Sequence, residues 1–238
     1  MSAVIVLGMH FSGTSCLAEA LVHAGVEFGA HLRRGSDYPT YEDDRIARLH
    51  VGLVPWDNPR VFVPTPAAQE KCESIVASYE GRDFGFKEPS SMFFTSLWEN
   101  AVRYPRAKLS APAMAVLNSA PMRRPSGTVR YVGSFRHPGP VLGHIKAAWG
   151  KTSVPADELW QRYAQRLLDL HRRSPFPLVC FDEDDDTYKA SLARLIGRVC
   201  GPDAEVRFNP ACRDSYPHEP ASPEALALYE ELKAAAAQ

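Results

Sequence analysis

Val4-Ile5-Val6-Leu7-Gly8-Met9-His10-Phe11-Ser12-Gly13-Thr14-Ser15 is the stretch that decides the fold. Residues 4–7 form an unbroken aliphatic run, which reads as a buried parallel strand. Gly8 and Gly13 bound a short loop. Beyond it, Cys16, Leu17, Ala20, Leu21 and Ala24 recur at helical spacing, and Gly25 stops the helix. The chain therefore opens strand, loop, helix. The loop spacing matches GxxxxG[K][ST], with Thr14 where the lysine of that pattern stands. Even without a lysine, the backbone N–H groups of such a loop and the partial positive charge of the helix N-terminus suit an anion. A nucleotide phosphate is the expected ligand, with the hydroxyls of Ser12, Thr14 and Ser15 as further donors.

Working outward, helical patterns are expected over residues 41–52, 67–79 and 90–102, with short strands at 84–86 and 128–135. His137-Pro138-Gly139-Pro140 reads as a break after the second of these. Helices follow over 141–149 and 155–173, then a strand at 177–181 whose acidic run 182–186 caps a helix over 187–200. A last strand is expected at 206–208 and a C-terminal helix from Ser222. Residues 55–66 and 105–125 are rich in proline and read as irregular connections. Strands alternating with helices predict an α/β protein: a P-loop NTPase-like parallel sheet with helices on both faces, as one domain over residues 1–238.

Composition narrows the function. The chain has 238 residues, 45% hydrophobic and 23% charged, with a net charge of −1. That balance offers no global attraction to nucleic acid or to a membrane surface. No apolar run approaches the roughly 20 residues of a membrane span. The first apolar run is short and follows no basic residue, unlike a signal peptide. The five cysteines are widely spaced and form no CxxC pair. Neither a zinc site nor a disulfide framework is expected, and a reducing cytoplasm is the expected location. Basic residues are mostly arginine, 20 against 7 lysines, and the planar guanidinium suits phosphate and sulfate.

Other candidates follow from position. Arg136 ends a buried strand, where ligands of open α/β sheets bind. Lys87 also follows a strand. His10 lies inside the glycine loop. Arg33-Arg34 reads as a solvated pair, and Asp182 ends an apolar strand in a pattern that suits magnesium in a P-loop kinase, a reading set aside because the loop lacks its lysine, in favour of a helix cap or local backbone partner.

Together these segments resemble the P-loop sulfotransferases, especially a bacterial branch with a loop of the form GMHRSGTS. Tyr41-Glu42-Asp43 resembles that branch's acidic helix start. Phe86-Lys87-Glu88-Pro89, with Trp98 downstream, resembles its WKDP element. Residues 131–138, ending Arg136-His137-Pro138, resemble its 3′-phosphate-binding strand and turn. The resemblance covers residues 3–200. It implies a sulfotransferase-like fold and transfer of a sulfonate from 3′-phosphoadenosine 5′-phosphosulfate to an acceptor hydroxyl or amine, on a small molecule or a glycan, with no metal. It also implies roles: Phe11, Ser12, Gly13, Thr14 and Ser15 around the 5′ end of the donor, Arg136 and His144 at the 3′-phosphate, and Glu42 as general base. The family carries Arg or Lys where Phe11 stands, so Lys87 is the expected substitute cation and His10 a second catalytic candidate. A P-loop small-molecule kinase and a non-catalytic nucleotide-binding protein are the alternatives. The acceptor and the oligomeric state are not legible in the sequence.

Overall fold

The computed structural model describes residues 1–29, 32, 39–104, 127–213 and 216–237. Four parallel strands, β1 (Ser2–Leu7), β2 (Phe84–Lys87), β3 (Thr128–Phe135) and β4 (Leu178–Cys180), pair in the order β2-β1-β3-β4. Alternation along the strands feeds two cores. Ala3, Ile5 and Leu7 of β1 point to one, Val4 and Val6 to the other. The second core is closed by α1 (Thr14–His23) and α7 (Asp185–Cys200), through Leu17, Leu21, Tyr188 and Leu192. The opposite face carries α2 (Asp44–Val51), α3 (Pro66–Ala77), α4 (Thr95–Arg103), α5 (Pro138–Ala148), α6 (Ala156–Arg173) and α8 (Pro223–Ala236). The α/β architecture with helices on both faces is thus as expected. Among the described residues no helix is long and apolar enough to cross a membrane.

Local chemistry moves several boundaries. The second helix starts at Asp44 rather than Tyr41, because Tyr41 is left-handed (φ 55°) and Asp43 caps the helix by accepting the Arg45 N–H at 2.9 Å. Residues 90–102 are not one helix. A 3₁₀ turn, Pro89–Phe93, precedes α4, and Phe94 at φ −117° separates them. The prolines after β3 do not break the chain. Pro138 opens α5, where a missing N–H costs nothing, and the His137 imidazole caps the helix by accepting the Gly139 N–H at 3.0 Å. Helix α7 begins two residues early, at Asp185, behind the Asp184 cap. No strand forms at 206–208. Val206 and Phe208 pack on the α1/α7 core without a ladder. The expected loop at 105–125 and Arg33-Arg34 lie outside the described residues.

Connections set the place of the site. The chain leaves β1 toward β2 on one side, and leaves β3 toward β4 on the other. The carboxyl ends of β1 and β3 therefore flank a topological switch point, where open α/β sheets bind ligands.

Candidate functional site

The glycine loop leaves β1 at this switch point. Gly8 (φ 149°) has no room for a side chain, since a Cβ there would lie 2.3 Å from the Ser134 carbonyl oxygen of β3. Gly13 (φ 81°) is the left-handed N-cap of α1, and a Cβ would lie 2.2 Å from the Phe181 ring. Both glycines are required by close approach as well as by backbone conformation.

Behind the loop its carbonyls are occupied. Ser12 Oγ donates to the Met9 carbonyl at 2.5 Å. Ser134 Oγ donates to the Ser12 carbonyl at 2.6 Å, and Arg136 Nη1 to the Phe11 carbonyl at 3.4 Å. In a trans peptide the N–H points opposite to the preceding C=O. Holding the Phe11 and Ser12 carbonyls from the rear turns the Ser12 and Gly13 N–H groups the other way. The orphan donors of the first turn of α1 follow. The result is a concave set of backbone donors at a helix N-terminus, the arrangement that holds anions.

His10, Phe11, Gly13, Thr14, Ser15, Glu42, Lys87 and His144 line one cleft of about 440 Å³ in front of the loop. Eight sequence candidates thus meet at one place, though they come from four separate segments of the chain. Ser12 and Arg136 are not on its wall. Ser12 is fully buried and its hydroxyl serves the loop itself, so it is not a donor to a ligand. Arg136 lies under the loop, 3.6 Å from Asp182 and over the Phe181 ring at 5.3 Å. Asp182 also accepts the His137 N–H and the Tyr229 hydroxyl at 3.3 Å. Its carboxylate is engaged in joining the ends of β3 and β4. Ser15 Oγ lies 3.3 Å from the Thr40 carbonyl, and Thr40 also lines the cleft.

The opposite wall carries charge. Lys87 ends β2 and Glu42 pairs beside it in an isolated bridge. The Lys87 ammonium donates to Glu42 Oε1 at 2.7 Å, and both residues are buried. One step further, Glu88 contacts His50 Nδ1, and Trp98 Nε1 donates to His50 Nε2 at 3.0 Å. Indole only donates, so His50 Nε2 must accept and its Nδ1 hydrogen goes to Glu88. Trp98, His50 and Glu88 therefore form a buried hydrogen-bonded chain that begins at the residue following Lys87.

Several participants carried no sequence signal. The imidazole of His10 meets the edges of Trp149, Trp56 and Tyr163 with centroids 5.0, 5.9 and 6.1 Å away. Phe11, itself left-handed at φ 63°, stacks on His144 at 3.5 Å, and Tyr216 stacks on the other side of His144 at 3.7 Å. These contacts join residues far apart in the chain, and no local spacing announces them. Cys16 and Cys212 also line the cleft. Hydrogen bonding to Cys16, then burial, pushes the Cys212 thiol far above its ordinary range, so it is protonated at neutral pH. Burial likewise raises the Tyr163 phenol.

No family model matches this chain, and neither a curated protein nor a solved structure matches it.

Proposed function

We propose that this protein is a sulfotransferase of the P-loop type, moving a sulfonate from 3′-phosphoadenosine 5′-phosphosulfate to an acceptor hydroxyl or amine. The observation that carries the reading is the buried Lys87–Glu42 pair facing the same cleft as the backbone donors of the Gly8–Ser15 loop. An anion on the loop would have a cation and a carboxylate base within one cavity, and the cavity falls in the roughly 300–1,000 Å³ range of small-molecule sites. Asp182, the carboxylate that a kinase reading assigns to magnesium, is committed to His137, Arg136 and Tyr229.

In this scheme the 5′-phosphosulfate lies on the N–H groups of Gly13, Thr14 and Ser15. The acceptor oxygen or nitrogen attacks sulfur in line. The S–O bond to the 5′-phosphate breaks, and its electron pair stays on the leaving 3′-phosphoadenosine 5′-phosphate. Glu42 takes the acceptor proton, and Lys87 stabilises charge on the leaving oxygen. Lys87 supplies the cation that the side chain of Phe11 lacks. Arg136 acts from behind by fixing the Phe11 carbonyl, and so the loop, rather than from the cleft wall.

Calorimetric titration with 3′-phosphoadenosine 5′-phosphate and with ATP plus magnesium tests the reading. Preference for the bisphosphate is expected, and preference for ATP overturns it. With an acceptor in hand, Glu42→Gln is expected to keep nucleotide affinity while turnover falls by roughly 10²–10⁴.

A further inference from the structure

The other end of the sheet is open. Strand β4 has three residues and β3 has eight, and their ladder covers only Gly133 to Phe135. Successive residues of a strand turn their N–H and C=O groups to opposite neighbours. The Thr128 N–H donates toward β1, to Met1, whereas the Gly133 N–H donates to Pro177 on the β4 side. Val129 and Tyr131 share the direction of Gly133, and below the start of β4 they face no strand among the described residues. Among the described residues nothing pairs with their outward backbone groups. The cause is in the sequence. The chain enters β4 through Ser174-Pro175-Phe176-Pro177, and two prolines without N–H groups cannot extend the ladder.

This bare edge is the floor of a cavity of about 760 Å³ between α7 and the ends of α6 and α8. Arg194 and Arg198 of α7 and Arg130 of β3 line it, all three exposed, and among the described residues no Asp or Glu does. Arg130 donates to the Val199 carbonyl at 2.7 Å and Arg194 to the Ser191 hydroxyl at 3.0 Å. Among the described residues none of the three is in an ion pair.

We propose that this slot takes an acidic peptide segment of a partner protein, in extended form, added to β3 as a further strand. The vacant edge, residues 128–132, is about 17 Å long at about 3.3 Å per residue, the length of an ordinary short strand. Its backbone groups supply sequence-independent hydrogen bonds, and the arginine forks select carboxylates. A small anion alone leaves the strand edge unused. Charge complementarity to these three arginines assigns the slot to an acidic segment of another protein.

The test uses the full chain and a fluorescein-labelled hexapeptide of alternating valine and glutamate, followed by anisotropy. Saturable binding is expected, with slower hydrogen exchange at the Val129 and Tyr131 amides. Arg194→Glu with Arg198→Glu is expected to weaken it about tenfold or more. The same peptide N-methylated at alternate residues needs no protein variant and is expected not to bind. Absence of saturation at about 1 mM peptide overturns the proposal. So does equal binding of the N-methylated peptide with displacement by inorganic phosphate, which assigns the cavity to small anions.

Discussion

The two ends of the sheet spend their charged residues in opposite ways. At the carboxyl end Lys87, Glu88 and Arg136 are buried, and each has a partner of opposite charge or a matching hydrogen bond. At the amino end Arg130, Arg194 and Arg198 are exposed around a bare strand edge. The larger cavity is at the amino end, but the converging donors are at the carboxyl end. Volume alone therefore points away from the anion site, and the direction of the backbone groups points to it.

The sharpest way to break this contrast is at Gly13. Gly13→Ala forces a left-handed alanine and a Cβ at 2.2 Å from Phe181. Strain and overpacking together are expected to cost about 2–5 kcal/mol, read from urea unfolding. A variant as stable as wild type would mean that the loop does not hold this conformation.

Next in size is the buried pair. Lys87→Met removes the ammonium from Glu42 and is expected to destabilise the fold by about 3 kcal/mol. Adding Glu42→Gln is expected to restore part of the loss, because the unpaired carboxylate is then gone. A double variant no more stable than Lys87→Met would show that the two side chains act independently.

A smaller effect comes with pH and touches both ends. Burial lowers the pKa of His137 at the carboxyl end and of His171 at the amino end. Each imidazole is harder to protonate in the folded chain than in the unfolded one. Their contribution is complete above the unfolded value, about 6.5, and is lost as pH falls through the lower folded values. For His137 the reason is visible, since protonated Nδ1 cannot accept the Gly139 N–H. The melting temperature is expected to fall from pH 7 to pH 5. His137→Asn, which can still cap α5, is expected to flatten that slope, and an unchanged slope would remove His137 from the account.

The smallest effect belongs beside the amino-end cavity. Gly197 lies within α7, and the space that a methyl group would take there is open, with nothing within 4 Å. Gly197→Ala is expected to raise stability by up to about 1 kcal/mol in the same urea assay. A loss there would erase the difference between a glycine required by contact and one that is not.

The sequence made the opening of the fold legible because the glycine loop and the strand before it are local features. Residues 128–135 were equally clear, with β-branched and aromatic residues ending at an arginine. The start of α5 lies three residues before the expected one because Pro138 and Pro140 look like breakers, although proline is compatible with a first helical turn. The strand expected at 206–208 fails for a different reason. Its apolar residues are satisfied by packing on α1 and α7, and propensity does not say which strand edge is within reach. In the site, the glycines and Lys87 could be found from position and residue type, and Glu42 only through the family resemblance. The Lys87–Glu42 contact, the ring stack through His144 and the rearward place of Arg136 could not. Each joins residues dozens of positions apart and depends on how the helices pack.

The contact between Gly13 and Phe181 carries a consequence for descent. The loop residue and the ring that follows β4 occupy one space, so neither position can change size by itself. In related chains a side chain at 13 should be accompanied by a smaller residue at 181, and an aromatic ring at 181 by glycine at 13. Two positions separated by most of the chain are thereby bound to a single evolutionary history.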